Sequence, residues 1–105
     1  MAYETADFVI RQGDTAPRLS QELPVDDLTD ADVRLHLHGL TVVDDRDLEA
    51  EVDDDGSTVF YDWAPEDTEL AGYYSAEWQV TFADGKVQTF PSGGVYLVQV
   101  VEQVA

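Results

Sequence analysis

Tyr73-Tyr74-Ser75-Ala76-Glu77-Trp78-Gln79-Val80-Thr81-Phe82, followed by Ala83-Asp84-Gly85-Lys86 and Val87-Gln88-Thr89-Phe90, decides the fold class. Tyr74, Ala76, Trp78, Val80 and Phe82 occupy every second position, opposed by Tyr73, Ser75, Glu77, Gln79 and Thr81. Successive side chains of a strand point to opposite faces, so this stretch predicts a strand with one apolar face and one polar face. Asp84-Gly85 is the signal of a tight hairpin, and Val87 to Phe90 is its returning strand.

The same period of two runs outward through the chain. Phe8 and Ile10 alternate with Asp7, Val9 and Arg11 in a strand that stops at Gln12-Gly13-Asp14. Leu19 to Leu23 is a short extended piece ended by Pro24. Asp32 to His38 is half-buried, with Val33, Leu35 and Leu37 inward. Leu48, Ala50 and Val52 predict one further strand, answered by Glu49, Glu51 and Asp53 on its wet face. Gly56 supplies the positive φ of the turn at Asp54-Asp55-Gly56, after which Thr58 to Trp63 returns with Val59, Tyr61 and Trp63 on one side. Pro65 to Gly72 is a connecting loop, and Val25 to Asp32 is a loop or a single helical turn. Pro91-Ser92-Gly93-Gly94 leads into a last strand, Val95 to Val104. About seven or eight short strands, with frequent turns and no helical stretch, predict an all-β antiparallel sandwich forming one domain over residues 1–105.

Charge sets the class of partner. Twenty-three Asp and Glu face five Lys and Arg, a formal net charge of −18 on 105 residues. Five scattered cations cannot make a basic patch, so no nucleic acid and no anionic lipid surface is expected as a partner. Disorder would need low hydrophobicity, whereas 44% of the residues are hydrophobic and they alternate in register. Such charge opposes compaction in dilute buffer, but the screening length falls to about 3 Å at 1 M salt. An acidic surface with one Lys (Lys86) against four Arg resembles proteins of salt-in halophiles. There is no Cys, hence no disulfide framework. No apolar run approaches the ~20 residues of a membrane span. Met1 to Ile10 lacks an apolar core, so no secretion signal is expected.

Several segments together resemble one family. Phe8-Val9-Ile10-Arg11-Gln12-Gly13-Asp14-Thr15-Ala16-Pro17 resembles the opening of a family of short phage proteins, and Val25 to Leu35 follows the element at the start of their second strand. Gly56 to Trp63, Asp67-Thr68-Glu69-Leu70-Ala71-Gly72-Tyr73-Tyr74-Ser75-Ala76-Glu77, Asp84-Gly85-Lys86 and Thr89-Phe90-Pro91 complete the order over residues 6 to 101. The family is the immunoglobulin-like N-terminal domain of the phage baseplate upper protein, also found alone as a small virion protein. The resemblance implies an immunoglobulin-like sandwich and a structural role in a virion assembled in the host cytoplasm. A full baseplate upper protein continues into a receptor-presenting part; this chain ends at Ala105, so only the assembly role carries over. With the acidity, it suggests a tailed virus of a halophilic archaeon. The expected partners are other virion structural proteins, with repeated copies of the chain in a symmetric assembly or homo-oligomer. A tail or baseplate adaptor and a capsid decoration or turret subunit both fit. A carbohydrate- or cell-surface-binding module is the reading from another class.

The chemistry-bearing residues point away from an enzyme. Ser20, Ser57, Ser75 and Ser92 lie in no nucleophile elbow. Glu51, Asp53, Asp55, Gly56 and Asp62 match positions 1, 3, 5, 6 and 12 of an EF-hand loop, but the flanks are strands and position 12 is Asp. A solvated hairpin is the ordinary alternative, so no metal is assigned to residues 51–62, and no cofactor is expected. His36 and His38 share the outward face of one strand; Glu77 or Glu49 would add a carboxylate only if their strands were adjacent. An exposed polar pair is the plainer reading. Trp63, Trp78, Tyr61 and Tyr74 are in core phase. Phe60, Tyr73, Leu97 and Val101 are apolar residues in outward phase, and make the candidate protein interface. Burial of the last strand inside the sandwich itself is the alternative.

Overall fold

The structure, a computed structural model, describes residues 6–103. It is an all-β, immunoglobulin-like sandwich. The strands are β1 (Phe8–Arg11), β2 (Leu19–Glu22), β3 (Asp32–Gly39), β4 (Asp45–Glu49), β5 (Glu51–Val52), β6 (Thr58–Tyr61), β7 (Gly72–Thr81), β8 (Val87–Phe90) and β9 (Tyr96–Val101). A six-stranded sheet runs β1-β9-β7-β3-β4, with β8 also pairing β7, and a three-stranded sheet runs β2-β6-β5.

β7 organises the large sheet because its alternation is uninterrupted. Tyr74, Ala76, Trp78 and Val80 are buried as their phase predicts, and so are Val33, Leu35 and Leu37 beside them on β3. Leu19 and Val59 answer from the small sheet, with nothing exposed. Trp78 has no solvent exposure, and its indole N–H donates to Gln21 Oε1 on β2 at 2.9 Å, tying the sheets together. Trp63 is buried as expected, stacked on Phe8 at 5.9 Å and edge-on to Tyr61 at 5.5 Å. Burying such rings contributes more than any other class of contact in a core of this size.

Three details of pairing and turn depart from the sequence expectation, besides the last strand, expected over Val95 to Val104, which is β9 and stops at Val101, with Val104 outside the described residues. The strand placed over Leu48, Ala50 and Val52 is two strands: β4 pairs with β3, whereas β5 pairs with β6 in the other sheet. Ala50 stands at the switch, its N–H donating to the Val33 carbonyl at 3.0 Å. Alternation fixes which face a residue takes but not which strand it pairs with, so the break was invisible. This split brings the strands to nine among the described residues. Second, β1 runs parallel to β9, Phe8 opposite Val98 and Ile10 opposite Val100. Third, Pro65–Thr68 is a 3-10 turn within the predicted loop. Val25 to Asp32 carries no helix.

The 3-10 turn anchors an internal ion network. Arg46 points inward from β4; its Nη1 donates to Asp67 Oδ1 at 3.0 Å and its Nε to Asp44 Oδ1 at 3.2 Å. Asp67, only 8% exposed, also accepts from the Tyr61 hydroxyl at 2.5 Å and the Ala64 N–H at 2.7 Å. A buried charge is tolerable only when its partners replace the lost water, and this one has three.

Candidate functional site

Strand register divides the outer face of the large sheet into two halves. In the apolar half, Gln99 on β9 lies opposite Val9 on β1 and Tyr73 on β7. Leu97 and Val101 flank Gln99 along β9, two residues away on either side, and so share its face. Four apolar side chains therefore surround one glutamine. The structure brings together three of the sequence-predicted interface residues, Tyr73, Leu97 and Val101, and adds Val9, which is 50% exposed. In the sequence Val9 alternates with Phe8 and Ile10, between Asp7 and Arg11; its apolar company, Leu97 and Val101, comes from β9, where Val9 lies opposite Gln99, ninety residues later. Phe60 lies elsewhere, on the outer face of the small sheet. The Arg18 guanidinium covers its ring at 4.0 Å and is held by Asp62 at 2.8 and 3.3 Å.

β9 is neither an edge strand nor buried on both faces. β1 and β7 flank it, Val98 and Val100 are buried on its inner face, and Leu97, Gln99 and Val101 are half-buried on its outer one.

The second half is charged. β3 lies between β4 and β7, so His36 faces Asp47 on one side and Glu77 on the other, and His38 faces Asp45 and Ser75. His36 Nε2 is 3.2 Å from Asp47 Oδ1, and His38 Nδ1 is 2.5 Å from Asp45 Oδ1. The Arg34 guanidinium also donates to Asp47 at 3.0 Å; that bond is the main cause holding the Asp47 carboxyl below its usual range. The strand adjacency that the sequence left open holds for both glutamates, but register puts Glu77 opposite His36 and Glu49 opposite Arg34. These residues line a shallow, open depression. Ser75, His38 and Asp45 form a row with the residue types of an acyl-transfer triad, but no hydrogen bond joins Ser75 to His38 among the described residues.

In the acidic segment 51–62, a hairpin, the Asp53, Asp55 and Asp62 carboxylates are already engaged. Asp55 accepts from the Ser57 and Thr58 N–H groups and the Thr58 hydroxyl, at 2.7 to 3.0 Å. Asp53 accepts from the Asp54 N–H, and Asp62 is taken by Arg18. Spacing that imitates a calcium loop here serves turn formation. The core aromatics Trp63, Trp78 and Tyr74 are buried, and Tyr61 gives its hydroxyl to Asp67.

No family model matches the chain, and no curated protein sequence matches it. Among solved structures, selenomethionine PcoC, a copper resistance protein from Escherichia coli, is similar at 19% identity and a TM-score of 0.47, over 89% of each chain.

Proposed function

We propose that this protein is a structural assembly module of a tailed virus particle, joining neighbours in a tail or baseplate by surface complementarity. The observation that carries the reading is the cluster of Val9, Tyr73, Leu97 and Val101 around Gln99 on a chain of net charge −18. Apolar surface gathered in one place on so acidic a molecule is costly in water unless another surface covers it. The resemblance of residues 6 to 101 to the baseplate domain supplies the kind of neighbour. Capsid decoration would use the same surface against a different partner.

Light scattering across about 0.1 to 3 M salt, with circular dichroism alongside, tests this. A closed oligomer in high salt that Leu97→Lys reduces to a folded monomer supports the reading. A wild-type protein that stays monomeric throughout, and binds no isolated tail protein, overturns it. A well-folded monomer at low salt removes the halophilic origin.

A further inference from the structure

The apolar half of the sheet face is symmetric about one row of residues. Val9, Gln99 and Tyr73 form that row across β1, β9 and β7. Leu97 and Val101 stand at equal distances on either side of it along β9. The cluster is therefore alike from both directions along the strands. Its central group is self-complementary as well. The Gln99 amide carries both donors and acceptors, and it makes no hydrogen bond among the described residues. A second copy of the same amide matches it in full.

Charge along β1 is not symmetric, and that sets an orientation. Asp7 and Arg11, both exposed, lie two residues to either side of Val9. Arg18, Arg34 and Arg46 each have a carboxylate partner within the chain. Arg11 has none among the described residues, although Asp and Glu number twenty-three; its Nη1 donates to the Glu102 carbonyl at 3.3 Å. Asp7 accepts the Leu97 N–H through Oδ2 at 2.7 Å, and its Oδ1 has no partner among the described residues.

We propose, building on the assembly reading, that the partner of this face is a second copy of the chain, related by a two-fold axis that crosses the strands at Gln99. A two-fold contact lays one patch on itself, so a residue on the axis meets its own counterpart. Here Gln99 meets Gln99, Leu97 meets Val101, and Arg11 comes beside Asp7 of the partner copy. Sheet faces pack about 10 Å apart, a gap that two facing glutamine side chains span. β3 pairs with β7 only from Tyr74 to Thr81, and β4 lies beyond β3. The rotation therefore sends the two acidic halves to opposite ends of the pair. So few residues a side fall short of the about 20–30 of a standard interface, and each copy carries a net charge of −18, so the pair is weak and needs salt.

Sedimentation velocity at high protein concentration in about 1 M salt tests the arrangement. The wild type is expected to dimerise. Gln99→Glu and Gln99→Lys each set like charges on the axis, and each should weaken the dimer at least about tenfold. Mixed in equal amounts, the two variants should recover a dimer. Arg11→Glu should weaken association, and adding Asp7→Lys should restore it. Lys86→Glu, the same change of charge on the β7–β8 hairpin, should leave it unaltered. A mixture of the Gln99 variants that stays monomeric, or an Arg11→Glu protein that associates like wild type, overturns the two-fold pair. A wild type that is monomeric at every concentration yet binds an isolated tail protein also overturns it, and leaves the assembly reading standing. A dimer untouched by Leu97→Lys and by the Gln99 variants overturns both. Gln99 and Arg11 are on the outer face, so circular dichroism should show their variants folded.

Discussion

Arg46 is in the inward phase of β4, in step with Leu48, where an apolar residue would be expected. Its position makes sense only with Asp67, contributed by the 3-10 turn twenty-one residues away. Asp67→Ala would leave the guanidinium short of one partner and strand the Tyr61 hydroxyl. We expect a loss of about 3 kcal/mol, seen as a lower urea midpoint at unchanged slope. An unchanged midpoint would show that water replaces the carboxylate. Burial, then the Asp67 hydrogen bond, raises the Tyr61 phenol far above its ordinary value; burial raises Tyr74 and Tyr96 in the same direction. Their contribution is complete below about pH 10 and is lost as pH rises through the raised values. Absorbance titration should therefore show these three ionising late, with unfolding. Gly39 is a packing requirement of another kind: a Cβ there would sit 2.2 Å from the Val42 carbonyl oxygen. Gly39→Ala is expected to cost about 2 kcal/mol, since backbone must shift to admit it.

Strands were the legible unit of this chain. The alternation from Tyr74 to Val80 placed β7 and its buried face correctly because it depends only on local geometry, whereas Phe82 falls past the end of β7 and is half-buried. β9 gives the sharpest test of that parity, with adjacent residues in opposite environments. Val98→Ala should cost about 2 kcal/mol, from the cavity it leaves. Leu97→Lys, one residue earlier on the outer face, should change stability by no more than about 0.5 kcal/mol while abolishing self-association. Equal thermal losses in the two variants would mean that the outer face is packed within the domain. What the alternation could not give was strand partnership. The stretch from Leu48 to Val52 keeps one phase yet changes sheets at Ala50, and β1 finds β9 in parallel. The candidate interface suffered from the same gap: Val9 joined it, and Phe60, under the Arg18 guanidinium, left it.

At the scale of the whole molecule, charge governs the conditions under which the fold persists. With a net charge of −18, repulsion weakens as salt screens it, so the thermal midpoint should rise between about 0.1 and 3 M NaCl. A flat profile would show that repulsion does not limit stability. Acid acts through particular carboxylates. Asp27, Asp47 and Asp55 are held below the usual range chiefly by side-chain hydrogen bonds from Thr29, Arg34 and Thr58. Their contribution is present above about pH 4 and is lost as pH falls through the lowered values, so melts at constant salt should decline on that side. The sequence by itself determined the all-β class, the buried phase of the strands, the core aromatics and the net charge of −18. These follow from local periodicity and from a sum of charges, and neither needs to know where distant strands lie. Only the tertiary structure decided the pairing order, the Arg46–Asp67 contact, the gathering of Val9 with Leu97 and Val101, and the placing of Glu77 beside His36. Each of those depends on which strands lie side by side, and hydrogen bonding between strands is indifferent to their separation along the chain.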